Sequence, residues 1–190
     1  NGFYDGDLTA NIDITNVSGG SATENGTQQI SISLTDNETP PKVTLTSDET
    51  SITENSSGVI TLTATLSGTT TATVTVSLGT SGTSTEGTDY SNLSNITITT
   101  GQLTGTTSFT PTNDAISEGN ETAIISITGV SGADTPSNES TEDGNQEITL
   151  TIQDDETVPS ISLSTSANSI TENSGSSVTL TVTTSTTSTS

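Results

Sequence analysis

Apolar residues alternate with threonine and serine along most of this 190-residue chain. Between positions 60 and 66, Ile60, Leu62, Ala64 and Leu66 share one parity, and Thr61, Thr63 and Thr65 share the other. Ile148, Leu150 and Ile152 repeat the pattern further on. A period of two puts every second side chain on the same face of an extended strand, so these stretches describe sheets buried on one side. Runs of this kind, separated by Gly, Ser, Asn and Thr, predict seven strands: A over 42–54 with a break near Asp48, B over 59–66, C over 72–78, D over 96–99, E over 106–110, F over 121–130 and G over 146–153. Short strands that are apolar on one face pack as a two-sheet, immunoglobulin-like β-sandwich, so the expected fold class is all-β.

The pattern repeats itself. Ser51-Ile52-Thr53-Glu54-Asn55-Ser56 returns 118 residues later as Ser169-Ile170-Thr171-Glu172-Asn173-Ser174, and Pro41 and Pro159, Leu62 and Leu180, and Asp36 and Asp154 keep the same offset. Ile14-Thr15-Asn16-Val17-Ser18-Gly19 matches Ile127-Thr128-Gly129-Val130-Ser131-Gly132 at an offset of 113, the difference being a loop insertion around Asp134 to Asn138. The expected organisation is the C-terminal part of one module (1–38), a whole module (42–156) and the N-terminal part of a third (160–190). A period of this length suits autonomous sandwich domains in tandem and exceeds that of solenoid repeats. Neither partial module can bury a core alone, so each end is expected to be completed by further chain or by another copy. The start at Asn1-Gly2-Phe3-Tyr4 carries no leader sequence, and the expectation is that the numbering opens inside a longer polypeptide.

Charge changes the picture more than composition does. The chain has 23 Asp and Glu against a single Lys, for a formal net charge of −22. With no basic stripe to displace counterions from phosphates, nucleic acid is excluded as a partner. No apolar run approaches the roughly 20 residues of a membrane span, so membrane insertion is not expected either. Cysteine and histidine are absent and the one base is Lys42, which leaves neither a disulfide framework nor the usual nucleophile-and-base pairs. Paired carboxylates can hydrolyse glycosides, but here they are too many and too close, without aromatic platforms. The chain is not expected to be an enzyme. An acidic, cysteine-free, Thr- and Ser-rich sequence fits an exported bacterial surface protein.

The acids are not scattered. If successive strands run antiparallel, the A–B turn (Glu54), the C–D loop (Glu86, Asp89), the E–F loop (Asp114, Glu118, Glu121) and the exit from G (Asp154, Asp155, Glu156) all fall at one end of the sandwich. Carboxylates crowded there would repel one another unless a cation sat among them. Hard oxygen donors without His or Cys point to Ca2+.

Ser51-Ile52-Thr53-Glu54-Asn55, Glu86-Gly87-Thr88-Asp89-Tyr90, Asn113-Asp114 with Glu118-Gly119-Asn120-Glu121-Thr122, and Ile152-Gln153-Asp154-Asp155-Glu156 resemble, in this order, the Calx-β domain. The resemblance implies a seven-stranded sandwich that binds calcium at one tip through Glu54, Asp89, Asp114, Glu118, Glu121, Asp154, Asp155 and Glu156. Asn113 stands where a second Asp is common. At the same offsets Asp5, Asp36 and Glu38 precede the whole module and Glu172 follows it. In the first fragment Asn1, Leu8 and Asn37 replace Asp114, Glu121 and Asp155, so that site is expected to bind fewer ions or bind them less well.

Other acids carry less meaning. Asp134, Glu139, Glu142 and Asp143 sit in the F–G loop at the opposite end and are expected to be solvated. Tyr90 is expected to pack rather than to stack on a ligand. The function expected is a calcium-rigidified structural repeat of an exported cell-surface adhesin stalk or extracellular filament, with neighbouring modules or other copies as partners. The alternative is a calcium-sensing or glycan-recognising binding module of a larger extracellular protein.

Overall fold

The structure, a computed structural model, describes residues 6–132 and 140–185. Thirteen strands and no helix occur among them. In chain order they are β1 (Leu8–Asp13), β2 (Gln29–Leu34), β3 (Lys42–Ser47), β4 (Ser51–Thr53), β5 (Ile60–Leu66), β6 (Val74–Gly82), β7 (Ile96–Ile98), β8 (Thr104–Phe109), β9 (Glu121–Ser131), β10 (Thr141–Glu142), β11 (Glu147–Gln153), β12 (Ile161–Thr165) and β13 (Leu180–Thr184). β3 to β11 form a four-stranded sheet in the order β10-β3-β5-β8 and a five-stranded sheet in the order β4-β11-β9-β6-β7. Each flank carries a two-stranded antiparallel sheet, β1-β2 before and β12-β13 after.

The alternation places the core as expected. In β5, Ile60, Leu62, Ala64 and Leu66 are buried and the intervening threonines half-buried. Across the gap β9 contributes Ala123, Ile125 and Ile127, and β11 contributes Leu150 and Ile152, all buried. Tyr90 is buried too, its ring stacked on Phe109 at 4.6 Å between centroids. Packed aromatics of this kind add about 0.5–1.5 kcal/mol beyond the area they bury.

Three departures from the sequence reading matter. Strand A is two strands in two different sheets. At Asp48 the side chain accepts the amide of Thr61 at 2.7 Å and the backbone amide reaches Thr61 O at 3.2 Å. These bonds end the pairing of β3 with β5, and the chain crosses so that β4 runs parallel to β11. Strand C, read as ending at Leu78, continues to Gly82 after a bulge between Ser77 and Leu78. The third departure is a short β10, running parallel to β3, within what reads as loop. There Lys42 Nζ meets Asp143 Oδ1 at 2.9 Å, so Asp143 is paired rather than merely solvated. The pair is about half exposed and its contribution to stability is small. Asp134 and Glu139 lie outside the described residues.

The sheets approach closely where β8 of one meets β7 of the other. A Cβ on Gly105 would lie 2.3 Å from Thr97 O and 2.9 Å from Ile96 Cγ2, whereas one on Gly129 would meet nothing within 4 Å. Gly105→Ala is therefore expected to destabilise the protein by about 1–3 kcal/mol in urea denaturation, as overpacking does. Gly129→Ala should be neutral or slightly stabilising through the unfolded chain. Equal effects from the two substitutions would contradict this packing.

Candidate metal centre

Two of these departures, the split of strand A and the extension of β6, each deliver acids to the same pole. Because β4 runs parallel beside β11, the amide of Glu54 donates to Gln153 O at 3.0 Å, and Glu54 stands next to the residue that follows, Asp154. Carboxylate oxygens of Glu54, Asp154 and Glu156 lie within 4.8 Å of one another. Glu54 is the buried member, 8% exposed, and its Oε1 accepts the amide of Asp114 from the E–F loop at 3.3 Å.

The extension of β6 assembles the second group. At Gly82, with φ at 119°, the chain passes so close to β9 that a Cβ would lie 2.1 Å from Thr122 O. Beyond it the amides of Thr83 and Ser84 donate to Thr122 O at 2.9 and 3.1 Å. The C–D loop is thereby fastened beside Glu121, and Asp89, Glu118 and Glu121 come within 4.8 Å of one another. The loop is held internally as well: the Thr85 amide donates to Asp89 Oδ2 at 2.6 Å, and Thr112 N of the E–F segment donates to Asp89 O at 2.9 Å.

Six of the eight acids read in the central module thus fall into two groups of three. Asp114 and Asp155 belong to neither. Asp114 Oδ1 accepts the amide of Ile116 at 2.7 Å, Asp155 Oδ2 accepts the side-chain amide of Asn55, and both residues are exposed. Glu86 is spent on structure, accepting Thr80 Oγ1 at 2.9 Å and Leu93 N at 2.6 Å. Asn113 turns its Nδ2 to Asp114 O at 3.4 Å. Gly119 and Ser117, which the sequence does not mark as site residues, hold Asp154, with Gly119 N at 2.6 Å and Ser117 Oγ at 3.2 Å on Oδ2; Glu156 N adds a bond of 3.0 Å on Oδ1. The proximity of Gly119 to Glu118 was their only signal.

The first flank repeats this cradle. Asp36 Oδ2 accepts Gly6 N at 2.6 Å and its Oδ1 accepts Glu38 N at 3.0 Å, while Asp36 N donates to Asp7 as Asp154 N donates to Asn120. Among the described residues Asp36 and Glu38 join no group of three acids, and neither does the exposed Glu172. Asp5 lies outside the described residues.

The electrostatics follow from the crowding. The Gly119 amide foremost, then that of Glu156 and the Ser117 hydroxyl, hold the Asp154 carboxyl below its ordinary range. Glu121 is pushed up to about 6, first by burial, then by Asp89, Glu118 and Glu54. Glu118 is raised by burial and then by Asp89, Asp114, Glu54 and Asp154, so the two groups feel each other. Glu156 is pushed up to about 7 by burial, by facing Asp154 and by the charges of Asp155 and Glu54; its Oε2 is buried and meets no donor. An anionic oxygen shielded from water without a donor is what a coordinated cation would satisfy. All donors are carboxylate oxygens, a set for a hard divalent ion.

Among the described residues no helix is long and apolar enough to cross a membrane. Comparison with protein-family models and with curated proteins finds no match. Among solved structures, the chain is similar to one described as the crystal structure of the apo-form Calx CBD1 domain, at 19% identity and a TM-score of 0.45, over 60% of this chain and 98% of that one.

Proposed function

We propose that this chain is a calcium-binding structural segment whose β-sandwich is stiffened by ions at one pole, and that it serves in an exported bacterial protein as part of an adhesin stalk or an extracellular filament. The observation that carries the reading is the pair of three-carboxylate groups, built from four separate connections in a chain with one base. Glu54, Asp154 and Glu156 would hold one ion; Asp89, Glu118 and Glu121 would hold another. Asp114 and Asp155 add negative charge at the rim. Calcium accepts about six to eight oxygens in irregular geometry, so carboxylates from different loops, backbone carbonyls and water can complete each site.

The mechanical consequence is direct. Without ions, repulsion opposes the approach of the A–B, C–D and E–F connections to the exit of β11. With ions, the same contacts become attractive and the pole closes into one unit. Extracellular fluid is rich in calcium, which is why a segment that depends on it would belong outside the cell. The repeated sequence offsets, the proline-bearing junctions at Pro40-Pro41 and Pro159, and the repeated Asp36 cradle support a series of such poles along an extended molecule.

With both sites at about 100 times their dissociation constants, calcium should stabilise the folded chain by about 5 kcal/mol over chelated protein, about 2.7 kcal/mol per site, seen as a higher melting temperature. An identical melting temperature in calcium and chelator would overturn the proposal. Glu54→Gln should remove the share of its own site, about half of that increment, while leaving the chelated protein no less stable, since it removes a repelling charge.

Proton linkage gives a further expectation for the chelated protein. The carboxyls of Glu121 and Glu156, ordinarily near 4.5, are raised on folding to about 6 and about 7. A raised folded value contributes stability that is present below the unfolded value and lost as pH rises through the folded one. Chelated protein should therefore lose stability between about pH 4.5 and pH 7, and calcium should reverse the trend by favouring the ionised forms. Denaturation midpoints measured across this range with and without calcium check the sign.

A further inference from the structure

Glu86 lies in the C–D loop with Asp89 but joins neither group of three acids, and it is half-buried. Both of its oxygens are taken: Oε2 accepts Thr80 Oγ1 at 2.9 Å and Oε1 accepts Leu93 N at 2.6 Å. The two donors stand on opposite sides of Asp89 in the chain. Thr80 belongs to β6, where it is paired with Ile125 of β9, and Leu93 is packed against the core. Glu86 therefore ties both ends of the segment that carries Asp89 to parts of the fold that the sandwich already fixes.

The segment between is a closed turn. The amides of Thr88 and Asp89 donate to Thr85 O at 3.1 and 2.9 Å, and Gly87 N, at φ 83°, donates to Tyr90 O at 2.8 Å. Tyr90 anchors the turn from beneath through the ring it stacks on Phe109, and its hydroxyl, raised by burial, lies beside the Thr80 side chain. A carboxylate in this place has a cost, because it adds one more negative charge to a pole already crowded with them. What it offers in return is two acceptor oxygens and no donor, which suits two donors converging from Thr80 and Leu93. Hydrogen bonds to an ionised acceptor are also about twice as strong as neutral ones.

We infer that Glu86 is a positioning residue for the ion assigned above to Asp89, Glu118 and Glu121: it touches no ion, and by clamping Leu93 to Thr80 it sets the turn that presents Asp89 to the other two. This rests on the function proposed above and deepens it, giving one acid of the C–D loop to the ligand set and the other to its frame. Removing an outer group that orients a ligand typically weakens metal binding by about 10–100-fold. The Glu54 group should be spared, since Asp154 is held by Gly119 N and Glu156 N and not by the C–D loop.

The test is calorimetric titration of calcium into the 190-residue chain and its variants, with amide hydrogen exchange of the chelated proteins alongside. Glu86→Ala should weaken one binding event by about 10–100-fold, leave the other close to wild type, and speed exchange at the Asp89 and Leu93 amides. Glu86→Gln can turn its oxygen to Leu93 N and its amide to Thr80 Oγ1, so it should recover both affinity and protection. If Glu86→Ala does not fold, Thr80→Val, which removes one anchor of the clamp, carries the same comparison and should weaken the same event. Equal affinity in wild type and Glu86→Ala overturns the inference and leaves the ion sites standing, even where exchange is faster, because Glu86 then supports only the fold. A loss in Glu86→Gln as deep as in Glu86→Ala also overturns it, since a direct ligand behaves that way. A wild type that takes up no calcium overturns the function proposed above, and this role falls with it.

Discussion

Mutual repulsion among carboxylates gathered at one pole is the constraint on which the rest of this structure turns. A single lysine serves the whole chain, and it sits at the other end beside Asp143. Backbone amides do the orienting instead. Gly119 N and Glu156 N fix Asp154, Thr85 N fixes Asp89, Ile116 N fixes Asp114, and Asp114 N in turn reaches Glu54. A hydrogen bond from an amide to an anion is stronger than one between neutral groups, and a carboxylate with about four lone-pair directions keeps others in reserve after accepting one or two. The cradle thus aims the acids without neutralising them. The raised carboxyls of Glu118, Glu121 and Glu156 mark where the remaining charge is least well compensated.

Two backbone events bring those acids together, and both look like defects in a regular sheet. At Asp48 a strand is cut and its remainder handed to the opposite sheet, which is why Glu54 lies alongside Asp154 rather than a sheet's thickness away. At the bulge after Ser77 a strand bends and runs on through Gly79 to Gly82, and the C–D loop is drawn up to Glu121. Bulges re-aim strands in this way next to sites, and Gly82 is required because a Cβ there would lie 2.1 Å from the backbone oxygen of Thr122. Sheet irregularity is the positioning device.

This division explains what could be read from the sequence and what could not. Period-two runs reveal strands because burial on one face leaves a visible trace, and each predicted run overlaps at least one. The convergence of the acids is legible from strand parity alone. The end of β6 is not, because Gly79, Gly82, Thr80 and Ser81 read as loop; their strand conformation comes from pairing with β9, a tertiary partner that local propensity does not register. The split of strand A shows only as a suspected break near Asp48, since its new partner β11 lies about 100 residues away. Nor could spacing tell Glu86, absorbed by Thr80 and Leu93, from Asp89, which joins a group of three. The two acids differ in which backbone amides lie near them, and that is a property of the folded loop.

Charge and apolar surface are also segregated along the chain, and the segregation has a physical reason. Acids concentrate in the connections at one pole, while β1, β2, β12 and β13 are nearly uncharged and keep their leucines and isoleucines exposed. A carboxylate on the inner face of those hairpins would be buried by any partner that completes the sandwich, at a cost that only a paired cation could offset. Keeping the acids at the tips leaves the faces free to be covered by apolar surface alone. Ion binding and completion of the core then act on different residues, so a pole can gain or lose its ions without rewriting the packing beneath it. The reverse does not hold. The pole is assembled by strands whose registers the core sets, so a lesion at Gly105 or Leu62 would loosen the ion site as well, and losses of fold and of ion binding from the core side should travel together.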